Sequence, residues 1–99
     1  MKTMAVEILE PQIDIQLDSA IKELIEPQKT IMLYNDEVNT FDHVIECLIA
    51  YCDHTIEQAN QISLIVHNNG KCDIKHGHYN KLKPIYEALL ENKLSVKIV

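Results

Sequence analysis

Arginine is absent from this chain. Lysine alone supplies side-chain cations, and the formal net charge is -6 at pH 7. Phosphate-backbone binding depends on Lys and Arg neutralising phosphates, so no nucleic-acid partner is expected. Long apolar runs are missing too. None approaches the ~20 residues of a membrane-spanning helix, so no membrane association is expected. A secretion-type apolar leader is also missing, and the 3 cysteines then read as reduced thiols in a cytoplasmic protein. There is no Gly-rich phosphate loop, no internal repeat and no low-complexity segment.

What remains is enough for one small domain: 99 residues, 46% of them hydrophobic. Such a chain can bury a core and is not disordered by composition. Its charge is unevenly placed. Residues 1–27 hold two lysines against six carboxylates, residues 28–70 one against six, and residues 71–99 six against three. The acidic middle segment would attract a cationic ligand. Residues 1–27 read as an N-terminal extension, a mobile arm in which Asp18-Ser19 could cap a short helix ended by Pro27. The folded domain is expected over residues 28–99.

Within that domain, Lys29-Thr30-Ile31-Met32-Leu33-Tyr34 is apolar, free of Gly and Pro, and reads as a strand. A polar break follows, and a helix is expected from Asn39 or Thr40 to Cys52. Phe41, Val44, Ile45, Leu48, Ile49 and Cys52 fall on its apolar face. Asn39 is a suitable N-cap, and Asp42 favours the positive end of the dipole. Thr55-Ile56-Glu57-Gln58 is a capping box opening a second helix that stops at Asn68-Asn69-Gly70. Lys71 to His76 alternates as a half-buried strand with Cys72 and Ile74 inward. A third helix is expected from Tyr79 to Glu91, with Pro84 tolerated only near its first turn. Leu94 to Val99 is the last strand. The order βααβαβ implies an α+β two-layer sandwich, a small antiparallel sheet with helices on one face.

The polar break holds Asn35, Asp36, Glu37 and Asn39 between a strand end and a helix start, a favoured place for a binding site. His67 closes the second helix and is expected to converge on it. An Asn carbonyl accepts hydrogen bonds, an Asp carboxylate attracts cations, and a neutral His offers one acceptor nitrogen. Together Asn35, Asp36 and His67 form a receptor for an ammonium group. Phe41, Val44 and Val66 are placed to line an apolar pocket beside it. An amine next to a bulky side chain describes the first residue of a polypeptide. Acidification that protonates His67 would set two cations face to face and weaken binding.

Two segments carry a family likeness: Asn35-Asp36-Glu37 with Phe41-Asp42-His43-Val44-Ile45, and Ala59-Asn60-Gln61 through Val66-His67-Asn68-Asn69-Gly70-Lys71. From Lys29 onward the chain resembles ClpS, the adaptor that delivers N-degron substrates to the bacterial Clp protease. The resemblance implies that Asn35, Asp36 and His67 receive the α-amino group. It implies a hydrophobic pocket of Thr40, Phe41, Val44, Ser63, Val66 and Leu94. Phe41 stands at the gatekeeper position, and Ser63 where an apolar residue is common, which makes the pocket roomier or more polar. The implied partners are N-degron proteins and the N-domain of a Clp-family AAA+ ATPase, with Lys81 matching a docking residue. The acids that usually accompany that lysine are replaced by His78, Tyr79 and Asn80. The extension would take part in delivery. No cofactor is implied, and a monomer is expected.

The competing reading is a small hydrolase, metal-dependent or built on Asp36, His67 and Cys72. A third is a structural interaction domain. On a strand, Cys72, His76 and His78 would share a face. However, Gly77 interrupts them, and zinc sites usually pair closely spaced ligands from two places, so no metal is expected. Thiols on apolar helical positions are inert, and no catalysis is expected.

Overall fold

The computed structural model describes residue 21 and residues 26–99. The expected arm and its short helix therefore lie almost wholly outside the described residues. Six elements follow one another: β1 (Lys29–Tyr34), α1 (Phe41–Cys52), α2 (Ile56–Asn69), β2 (Lys71–Gly77), α3 (Tyr79–Glu91) and β3 (Val96–Ile98). The strands form one open antiparallel sheet in the order β2-β1-β3. The expected α+β class and βααβαβ order are both found.

β1 is central because its alternation presents Ile31 and Leu33 to one face, where they are 0% and 2% exposed. On that face they join Leu48 and Cys52 from α1, Ala59 and Ile62 from α2, and Leu82 and Leu89 from α3 in one core. Ordering so short a chain is offset chiefly by this burial. The other face of β1 carries Thr30, Met32 and Tyr34, all partly exposed.

The helix ends follow local chemistry. Thr55 and Gln58 form the reciprocal capping box at the start of α2. Gly70 ends α2 with φ 93°, a left-handed conformation in which a side chain would be strained. Its carbonyl accepts from Asn35 N at 2.9 Å, which fixes the exit of β1 against the end of α2.

Three expectations need correction. Thr40, not Asn39, caps α1, its side chain accepting from His43 N; Asn39 is engaged elsewhere, as described below. Pro84 lies at the sixth position of α3, beyond the first turn. It lacks the N–H that would bond one turn back, and the helix continues because Leu82 and Leu89 are buried on either side. Finally, β2 contains a bulge. Ile31 pairs with Lys75 but Met32 with Asp73, so Ile74 is the extra residue. The bulge resets the alternation. Cys72 packs against the core, whereas His76 turns to the outer face and bonds Thr30 Oγ1 at 3.0 Å and Asp73 Oδ2 at 2.9 Å. Cys72 and His76 are on opposite faces, so the even spacing does not gather a metal site.

Candidate functional site

A cavity of about 380 Å³ opens between the β1–α1 loop, the facing sides of α1 and α2, and the approach to β3. Each element delivers its residues for a local reason. The loop supplies Asn35, Asp36 and the α1 cap Thr40. The first turn of α1 adds Phe41 and Val44. Ser63, Val66 and His67 lie on α2, where residues three and four apart share a side. Leu94, 3% exposed, comes from the tight turn before β3. All nine residues expected at the site meet around this one space. Lys81, the tenth expected residue, is not among the lining; it lies exposed in the first turn of α3.

The loop is held by Asp36. Its Oδ1 accepts from Val38 N and Asn39 N, each at 2.9 Å. Its Oδ2 accepts from Asn39 Nδ2 and from Ser95 Oγ, each at 2.8 Å. A carboxylate offers about four lone-pair directions, and these four bonds occupy them. Asn39 Nδ2 also donates to Lys93 O at 2.9 Å. The loop is thereby clamped to the turn that carries Leu94. Burial alone would push the Asp36 carboxyl up. The bonds from Asn39 N, Ser95 Oγ, Asn39 Nδ2 and Val38 N outweigh it and hold the group below its ordinary value.

This arrangement separates two kinds of polar residue. Asp36 is satisfied. The side chains of Asn35, Glu37 and His67 line the cavity with no hydrogen-bond partner among the described residues. His67 is oriented by Phe41, whose ring meets the imidazole edge to face at 5.4 Å between centroids. Below this polar rim the wall is apolar, with Val66 and Leu94 buried.

Leu33, Tyr34, Glu37 and Asn39 also line the cavity. Sequence reasoning placed the last two in the polar loop without assigning them to the site. The usable signal was their position, within four residues of Asn35 and Asp36.

Residues 25–96 match the family model of the ATP-dependent Clp protease adaptor protein ClpS. The chain belongs to the ClpS adaptor family. Such adaptors are non-catalytic and deliver N-degron substrates to ClpAP. The hydrolase reading is thereby overturned, and the chemistry of this ClpS domain agrees. Burial pushes the Cys52 thiol up to about 11, and burial raises Cys47 and Cys72 as well, helped by the neighbouring Glu46 and Asp73. Thiols so shifted remain protonated and unreactive, and none of them lines the cavity. Among the described residues, no helix is long and apolar enough to cross a membrane.

The strengthened acidity of Asp36 carries a stability prediction. A carboxyl lowered in the native state stabilises the fold fully above its unfolded value, near ~3.9. That contribution fades as pH falls through the lowered native value. Asp36→Asn cannot supply four acceptor positions, because its amide nitrogen would face the donor Asn39 Nδ2. We expect it to cost about 1–3 kcal/mol at pH 7, read from urea midpoints. The wild-type midpoint should then fall more steeply than the variant's between pH 5 and 2.5. Parallel curves would contradict the role given to Asp36.

Proposed function

We propose that the cavity receives the first residue of a substrate polypeptide, with the α-ammonium at the polar rim and the side chain in the apolar hollow. The observation that carries this reading is the set of unpartnered acceptors. Asn35, Glu37 and His67 stand exposed around one opening with no hydrogen-bond partner among the described residues, and an ammonium brings three donors. Asp36 contributes its charge and orders the loop; its lone pairs are engaged, so Glu37 is the carboxylate left for direct contact. Phe41, Val44, Val66 and Leu94 enclose the side chain, and Thr40 and Ser63 complete the wall.

The domain spans residues 28–99, and residues 1–27 act in delivery to the ATPase. Lys81 lies in the first turn of α3, outside the cavity, and marks a separate docking face for the ATPase N-domain. Such a division lets substrate and ATPase be held at once. The protein acts as a monomer in the cytoplasm, a setting that suits its three free thiols.

Titration of the full chain with a Phe-headed peptide tests this assignment. Asn35→Ala and His67→Ala should each weaken binding by roughly tenfold, the loss of a charge-assisted hydrogen bond. A structural interaction domain using another surface would bind its partner equally well after either change. Unaltered affinity in both variants would remove these residues from the site.

A further inference from the structure

Ser63 is the one buried polar residue among the described core positions, 4% exposed. Its Oγ is shielded from solvent and has no hydrogen-bond partner among the described residues. A serine within a helix ordinarily relieves this by bonding the carbonyl one turn back. Ser63 does not, although Ala59 lies in that position on the same helix. Buried hydroxyls without partners are uncommon and need an explanation. Ser63 also lines the cavity, so the hydroxyl reaches that space by turning about its own Cα–Cβ bond to another staggered rotamer.

We propose that Ser63 selects for a hydroxyl at the far end of the substrate's first side chain, so that a tyrosine-headed polypeptide is preferred over a phenylalanine-headed one. The inference rests on the cavity receiving the first residue of a substrate. Ser63 and His67 are four residues apart on α2, so they share a face and are separated by about 6 Å along the axis. His67 lies at the exposed rim and Ser63 in the buried part. With the ammonium at His67, an aromatic side chain running along α2 into the hollow carries its para substituent toward Ser63. A phenol both donates and accepts, as does a serine hydroxyl, so either direction of bonding satisfies both groups. A phenylalanine would seal the hollow and leave Ser63 unpaired. A binding site with a polar group awaiting a hydroxyl discriminates strongly against the analogue lacking it.

Calorimetric titration of the full chain with three peptides identical but for the first residue decides this. The heads are Phe, Tyr and para-methylphenylalanine, the last resembling Tyr in shape without its hydroxyl. Tyr should bind at least about fivefold more tightly than either other head. In Ser63→Ala the Tyr-to-Phe ratio should fall to within about twofold of one. That variant removes an unpartnered hydroxyl, so its urea midpoint should not drop. Equal binding of Tyr and Phe, a para-methyl head that matches Tyr, or a ratio that survives Ser63→Ala would each overturn the Ser63 inference while leaving the cavity assignment intact. If no head binds, the cavity assignment itself fails and this inference with it.

Discussion

A Gly-headed peptide should bind this ClpS domain on the order of 100-fold more weakly than a Phe-headed peptide of otherwise identical sequence. Both carry the same ammonium, so the difference isolates the hollow. An aromatic side chain can bury about 150–250 Å², and at roughly 25 cal/mol per Å² full burial would contribute about 4–6 kcal/mol. The cavity is open at the rim, where Phe41 is 42% exposed. Enclosure is therefore partial, and ordering the side chain has its own entropic cost. About 3 kcal/mol should remain, which is the hundredfold factor. Heat-capacity change should follow the same order, more negative for the Phe head. Comparable affinities for the two heads would mean that the hollow formed by Val44, Val66 and Leu94 is not where the side chain goes.

The elements were legible because local chemistry and core packing agree. β1 reads directly from an uninterrupted apolar run, and α2 from a capping box at one end and Asn68-Asn69-Gly70 at the other. The resemblance carried the site further than the residues alone, since Ser63 and Leu94 have no local mark of a pocket. Leu94 is brought there by contacts across the chain. Asn39 joins Asp36 to Lys93, and Asp36 joins Ser95, 59 positions away.

The misreadings have the same origin. Asn39 and Thr40 are both good caps. The choice falls to Thr40 because the Asn39 amide is engaged by Asp36 and Lys93. Alternation from Lys71 to His76 gives no sign of the bulge, which depends on how β2 aligns with β1. Asp36 looks from the sequence like a free acid facing a ligand. Only the fold reveals that four donors already surround it and that Asn35, Glu37 and His67 have no hydrogen-bond partner among the described residues.

The ammonium is the second large effect and the centre of the account. An ammonium leaving water must have its hydration replaced by protein acceptors. At the proposed site it would meet Asn35, Glu37 and His67, which have no hydrogen-bond partner among the described residues, and the charge of Asp36, on a chain of net charge -6. Charge-assisted hydrogen bonds are each worth about 1.5–3 kcal/mol. Acetylation removes the charge and two of the three donors and adds bulk at the crowded rim. It leaves the side chain unchanged.

Calorimetric titration of the full chain with a Phe-headed peptide and with its N-acetylated twin is the most direct measurement. The free amine should give a saturable isotherm, and the acetylated twin should bind at least about 100-fold more weakly. Equal affinities would contradict the claim that Asn35, Glu37 and His67, ordered by Asp36, form a receptor for a charged chain end.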